Sequence, residues 1–293
     1  MNNMNKKPLW RSVIAVFFRE RPGLLFTFIQ STCQDIRRMR VLVIQGQTGF
    51  MPWRSKSAAR KRPANNLLER IGRDDYQLIS PHLVDIDLVA DQILYNSGDT
   101  VGTVYFPCHA GSASFAVSFE EGREVQTVLI GREGAVGGVI NRSHLPAYVR
   151  LEVRSGGRFA RLPVHVLESA KSRSPSLREL FDRYADCFVA QLLQGMACNA
   201  VHSIEQRAAK LIVGRMEASD LRVIPLTHEQ LASFLGVGRS YASRVLHDFR
   251  RQGIVDTGRG AIVVNDSAAL TKKACCCDIW IKKHFRDVLY PDV

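Results

Sequence analysis

No uninterrupted apolar run in this 293-residue chain approaches the roughly 18 residues a membrane-spanning helix needs. The apolar stretches SVIAVFF and LLFTFI are short and are split by RERPG. The first of them lacks a long apolar region and a small-residue cleavage site, so no secretory signal is expected. Disulfide spacing is also missing. Seven cysteines, at 33, 108, 187, 198 and 275 to 277, resemble no secreted framework and point to a reducing cytoplasm. Catalytic constellations are absent as well. A cupin-like metal site needs two His at i and i+2, a Glu soon after and a later His, whereas His82, His109, His144 and His165 stand isolated. No nucleophile elbow, P-loop or dinucleotide fingerprint occurs. Neither an enzyme nor a resident cofactor or metal is therefore expected.

The folded body also has little net charge. The formal charge is +12, but residues 1–62 carry 13 Lys and Arg against only Glu20 and Asp35, leaving about +1 for the rest. The overall basicity therefore says nothing about the body, and a nucleic-acid reading must rest on local pattern. Residues 1–62, broken by Pro8, Pro22 and Pro52 and ending in RSKSAARKR, could serve as a basic arm for DNA or a membrane surface. The alternative, either a disordered extension or an upstream start with the working protein beginning near Met51, is preferred because nothing there is periodic enough to pack.

What is present is a series of clear changes of period. Over residues 63–170 a short amphipathic helix at Leu67, Leu68 and Ile71 gives way to extended segments. Gly98–Asp99, Glu121–Gly122 and Gly156–Gly157 supply their turns. Close-spaced short strands predict an antiparallel β-roll of jelly-roll type, and with it an α+β fold. Over 171–204 the period becomes helical. Ser174–Pro175 is an N-cap and N1 pair, and Leu177, Phe181, Tyr184, Phe188, Leu192 and Met196 trace a near-heptad seam. That seam either packs on the roll or pairs with a second copy; the dimer is preferred. Cys187 and Cys198 read as core residues of this helix.

Residues 205–270 carry the strongest local pattern. Thr227-His-Glu-Gln230 is a capping box ahead of an apolar run, and Gly236 is a left-handed stop. A second helix follows with Ala242, Val245, Leu246 and Phe249 on one face and Ser240, Ser243, Arg244 and His247 on the other. Two such helices form a helix-turn-helix, whose second member enters the DNA major groove. Arg244 is suited to guanine O6 and N7, and the serines to bases or phosphates. His247 is a weaker base candidate, and Arg239 suits a phosphate. The hairpin after it, GIVDTGRGAIVV, forms a wing with Arg259 at its tip.

These residues resemble the Crp/Fnr family of bacterial transcription regulators over about 65–268, most specifically in LTHEQLASFLGVGRSYASRVLHDFRRQGIVDTGRGAIVV. The resemblance implies a cyclic-nucleotide-binding-type roll, a dimerisation helix and a C-terminal winged helix-turn-helix. It implies double-stranded DNA and a second copy of the chain as partners, with RNA polymerase as a further candidate. Arg244 and Ser243 match the family's base-facing pattern, while Ser240 replaces its usual Glu. The effector segment departs further. Gly138, beside Gly137, stands in place of the family's Glu, and Leu145-Pro146-Ala147 stands where Arg-Ser-Ala is expected, with Arg142 several residues early. Cyclic-nucleotide control is therefore not expected; an effector-gated sensor using another small ligand is the alternative. Cys33 and Cys108 fall short of an iron–sulfur ligand set. Residues 271–293 read as a tail, with Cys275, Cys276 and Cys277 as reactive thiols, since adjacent residues rarely direct three sulfurs to one ion.

Overall fold

Asn65 ties the first helix to the sheet behind it. The computed structural model describes residues 62–289 apart from 121, 123, 139–145 and 220. The basic extension up to residue 61, with Cys33, and the effector-segment residues Arg142 and Leu145 lie outside the described residues. Asn65 Oδ1 accepts from the Leu68 amide at 3.0 Å, and its Nδ2 donates to the carbonyls of Pro107 and Gly134, both at 2.8 Å. A fully buried amide is thereby satisfied while it N-caps α1 (Asn66–Arg70). Arg62 closes the other end of α1 by donating to the carbonyls of Leu68, Glu69 and Ile71. Then α2 (Arg73–Ile79) and a 3₁₀ turn (Ser80–His82) lead into the strands.

The expected roll is present as two four-stranded antiparallel sheets. Its strands are β1 (Val84–Leu88), β2 (Ile93–Tyr95), β3 (Thr103–Pro107) and β4 (Ser112–Ser118), then β5 (Glu124–Ile130), β6 (Val136–Gly137), β7 (Arg150–Ser155) and β8 (Gly157–Pro163). One sheet runs β1-β8-β3-β6 and the other β2-β7-β4-β5. Between them lie Ala113, Ile130, Leu151, Val153 and Phe159, all buried. Strand alternation sends Val104, Phe106, Ala160 and Leu162 to the opposite face of the first sheet. There they meet α1, α3 (Val164–Arg173) and α4 (Pro175–Val201).

Helix α4 starts as its sequence dictates: the Ser174 hydroxyl accepts from the Leu177 amide at 3.0 Å, with Pro175 at the first position. Its 27 residues extend about 40 Å at 1.5 Å per residue. The expected dimerisation seam needs correction. Leu177, Phe181, Tyr184 and Phe188 are buried inside this chain, against the roll and the neighbouring helices, and Leu192 is partly buried. Only Met196 of the six is exposed; the free apolar stripe comprises Val189, Leu193 and Met196 at 48%, 60% and 68% exposure. Tyr184 is the largest fully buried side chain among the described residues. Its hydroxyl donates to the Ala135 carbonyl at 2.7 Å and accepts from the Ala135 amide at 2.9 Å. Cys187 sits in the same core, where burial pushes its thiol up to about 11.

The rest of the chain comprises α5 (Ile204–Ser219), β9 (Val223–Pro225), α6 (His228–Leu235), α7 (Arg239–Arg251), β10 (Val255–Gly258), β11 (Ala261–Val264), α8 (Ser267–Lys273) and α9 (Cys277–Leu289). The segment read as a tail is thus largely helical up to Leu289. Phe285 and Leu289 of α9 are buried in the main core, and the Phe285 ring meets Tyr184 edge-on at 6.4 Å. Nothing local announced this, because the residues that Phe285 and Leu289 meet lie far away in the chain. Residues 290–293 lie outside the described residues.

Helix α6 rests on the outer face of the second sheet. The Ser233 hydroxyl donates to the Glu124 carbonyl at 3.1 Å, and Gln230 Nε2 donates to Asp91 at 3.2 Å. Beneath it Arg150 and Arg154 share Glu152; Arg150 also pairs with Glu124, and Arg154 with Asp91 at 2.7 Å. Buried charges are tolerated here because each is paired. None of the described helices is long and apolar enough to cross a membrane.

Candidate nucleic-acid interface

The interface is built from two helices and a hairpin. At the start of α6 the Thr227 hydroxyl accepts from the Gln230 amide at 3.1 Å, and the Gln230 side chain accepts from the Thr227 amide at 3.0 Å. This is the capping box expected from Thr227-x-x-Gln230. Gly236 ends the helix with φ 69° and ψ 30°, a conformation that a Cβ would disfavour. Gly238 then opens α7.

Helix α7 has the two faces its spacing predicts. Ala242, Val245, Leu246 and Phe249 are buried, joined by Leu231, Leu235, Ile254, Val255, Ile262 and Ile212 in a separate core. Ser240, Arg244 and His247 are exposed on the other side. Arg239 is also exposed, and its Nε lies 4.0 Å from Glu229. The Arg244 guanidinium sits 5.4 Å from the Tyr241 ring centre, so the cation is propped against an aromatic face. Tyr241 in turn reaches Glu205 on α5 at 3.4 Å. The Glu205 carboxyl is held below the usual range, chiefly by its own backbone N–H, then by Ser203, with a smaller share from Tyr241.

Ser243 stands apart from the other polar residues of that face. It is half-buried, and its hydroxyl lies 2.8 Å from His228 Nδ1. The hydroxyl is thus engaged within the domain. A shallow depression of about 400 Å³ runs along this face, and Ser240, Arg244 and His247 share it with His228, Arg250 and Thr257. Sequence spacing did not single out the last three. His228 belongs to the preceding helix and Thr257 to the hairpin, so no single-helix periodicity could have gathered those two, whereas Arg250 continues the outer face of α7 three residues beyond His247.

The wing is a two-residue hairpin in which Gly258 pairs with Ala261, leaving Arg259 and Gly260 at the tip. Gly260 has φ 75°, which the tight turn requires. Arg259 is exposed there, and β9 adds a third strand behind β11. Arg215 of α5 is mostly buried under Phe234, its guanidinium 5.1 Å from the ring centre. Burial, with the nearby Arg154 charge, lowers its pKa to about 10.

At the effector segment, Gly137 adopts φ 92°, and a Cβ there would lie 2.2 Å from the Thr103 carbonyl oxygen. A Cβ on Gly138 would lie 2.2 Å from Val164 Cγ2. Pro146 is exposed and bridges to Thr100.

The family model of the Crp-like helix-turn-helix domain matches residues 206–273. A regulator of the Crp/Fnr family from Eubacterium rectale is 18% identical, with 71% of this chain and 96% of that chain covered and a TM-score of 0.57. FixK2 from Bradyrhizobium japonicum is 15% identical, with 66% and 98% covered and a TM-score of 0.56. The c-di-GMP-responsive global regulator CLP of Xanthomonas campestris is 18% identical, with 68% and 97% covered and a TM-score of 0.53. No curated protein matches the chain by sequence. Over residues 206–273 the chain is thus similar to the Crp-like helix-turn-helix family, and it carries the fold of the Crp/Fnr transcription regulators.

Proposed function

We propose that this protein is a DNA-binding transcription regulator, acting as a homodimer on a pseudo-palindromic site without cyclic-nucleotide control. The observation that carries the reading is the outer face of α7. Arg244, Ser240 and His247 project from a helix whose opposite face is locked into the domain core, flanked by an Arg-tipped wing. That arrangement suits a helix laid in the major groove, with Arg244 reading a base and Arg239 and Arg259 meeting phosphates. One such helix reads few base pairs, so a second copy supplies the other half-site, about 34–36 Å away. The exposed stripe Val189, Leu193 and Met196 on α4 is the surface through which the copies would pair. The same reading makes the protein a cytoplasmic regulator and not an enzyme, with RNA polymerase as its candidate further partner.

Selection from a randomised DNA pool, with and without cyclic AMP, tests it. An enriched palindrome obtained without nucleotide supports the proposal. Salt-steep binding with no enriched sequence would reduce the interaction to phosphate contacts and overturn it.

A further inference from the structure

Three sulfurs and one imidazole converge where α4 ends. Cys198 lies in its last turn, and His202, four residues on, is the residue that caps it. The i, i+4 spacing places both on one side of the helix end. Facing them are Cys275, in the short connection between α8 and α9, and Cys277, the first residue of α9. The donor atoms of all four residues lie within 4.8 Å of one another. Cys198 Sγ is 3.6 Å from Cys275 Sγ, and Cys277 Sγ is 3.5 Å from His202 Nδ1. All three of these cysteines are buried, in a cluster separate from the larger cores.

We propose that Cys198, His202, Cys275 and Cys277 form a tetrahedral Cys₃His site for a single zinc ion, joining the end of α4 to the α8–α9 connection. Zinc bonds of about 2.3 Å to sulfur and 2.0–2.1 Å to nitrogen imply ligand–ligand edges of about 3.6–3.8 Å. Two edges of this cluster already have nearly that length, and small side-chain rotations close the others. Three thiolates and an imidazole in a closed, four-donor set match a structural zinc site, and soft sulfur donors disfavour magnesium or calcium. An iron–sulfur cluster would need its ligands further apart, because they would be divided among two or four irons.

The expectation that three adjacent cysteines could not share an ion also finds its resolution here. Cys276 does not join the cluster: it is exposed, and its sulfur accepts from Trp280 Nε1 at 3.3 Å. Only the alternate residues Cys275 and Cys277 turn inward. Lys210 supplies a complementary charge, its ammonium donating to Cys198 Sγ at 3.3 Å. Three thiolates around a dication leave one net negative charge, which Lys210 offsets. The position also has a mechanical consequence. His202 marks the break between α4 and α5, so the ion would fix the angle at which the helix-turn-helix module leaves the long helix.

The test is metal content and cobalt substitution of the full-length protein, prepared reduced and anaerobic. The expected result is about one zinc per chain. Replacement by cobalt should give a thiolate-to-cobalt charge-transfer band and the intense visible bands of a tetrahedral ion. Cys276→Ser should leave both unchanged, whereas Cys275→Ser, Cys277→Ser and Cys198→Ser should each lower zinc affinity at least about tenfold. His202→Cys, which keeps four donors, serves as a second probe independent of ligand loss: it should retain stoichiometric metal with a four-sulfur cobalt spectrum. Absence of metal from the reduced full-length protein would overturn the proposal. So would a cobalt band that survives the Cys275→Ser/Cys277→Ser double replacement. A Cys198–Cys275 disulfide in air, with no metal recovered anaerobically, would assign a redox pair in its place.

Discussion

His228 Nδ1 lies 2.8 Å from the Ser243 hydroxyl, linking the first residue of α6 to the middle of α7. The two helices of the module are therefore joined by a polar contact at the rim of the depression along α7 as well as by their apolar core. Ser243 and Arg244 are consecutive, yet this contact gives them different roles. Ser243→Ala should lower the stability of the module by about 0.5–1.5 kcal/mol in urea unfolding, the usual worth of one internal hydrogen bond. Its effect on operator affinity should be the smaller of the two. Arg244→Ala should cost about 1–3 kcal/mol in binding, roughly 5- to 150-fold, and relax specificity at one base pair of each half-site. Equal losses from both variants on selected DNA would show that Ser243 reads DNA directly.

Arg259 should behave differently from Arg244. It sits exposed at the hairpin tip, off the outer face of α7, and on the proposed reading it meets a phosphate. Arg259→Ala should weaken selected and random DNA alike and reduce the slope of log affinity against log salt by about 1. A selective loss on the operator alone would place this residue in a groove.

Helix α4 divides its apolar residues between two tasks, and single substitutions should separate them. Leu177→Ala removes a side chain 1% exposed and should destabilise the fold by about 2–5 kcal/mol. Leu193→Glu with Met196→Glu alters the exposed stripe and should leave the thermal midpoint of the isolated chain nearly unchanged while abolishing the dimer in sedimentation equilibrium. Dimers that survive the double replacement would move the interface off this stripe.

The buried hydroxyl of Tyr184 offers a further check on the packing of α4. Tyr184→Phe strands both the amide and the carbonyl of Ala135 without partners. A loss of about 1–3 kcal/mol in unfolding free energy is expected, far more than removing one oxygen from an apolar contact would cause. A change below about 0.5 kcal/mol would mean that water replaces the hydroxyl.

The legible parts of this fold were those whose signals are local. The capping box at Thr227 and Gln230, the stop at Gly236, the Ser174 cap and the two faces of α7 each depend on residues within one or two turns, and all are present. The alternating strands of the roll could be read for the same reason. The long-range arrangement was not legible. Helix α4 is apolar around much of its girth, so sequence could not say which stripe the roll would cover; Phe181 and Tyr184 went inward and Leu193 stayed out. Helix α9 read as part of a tail because its contacts, Phe285 on Tyr184 and Leu289 in the same core, lie about a hundred residues away in sequence. The four-donor cluster was hidden for that reason too. Cys198 and His202 have ligand spacing on one helix, as do Cys275 and Cys277 around a turn, but only the fold brings the pairs together.

The effector segment yields the sharpest prediction about regulation. Restoring the family's acidic residue by Gly138→Glu should not create a nucleotide site. A Cβ at this position would lie 2.2 Å from Cγ2 and 3.1 Å from Cγ1 of Val164, at the start of α3. Val164 is buried, and its branched side chain has little rotamer freedom, so the backbone would have to move. Overpacking of this kind costs about 1–3 kcal/mol. Gly138→Ala, which adds only the Cβ, should show much of that loss in urea unfolding, and Gly138→Glu should show at least as much. Neither should bind cyclic AMP by calorimetry. If Gly138→Glu were as stable as the parent and bound the nucleotide, the glycine would be a lost ligand in a site still open. The expected result makes it a packing residue, whose missing side chain lets β6 lie against the start of α3.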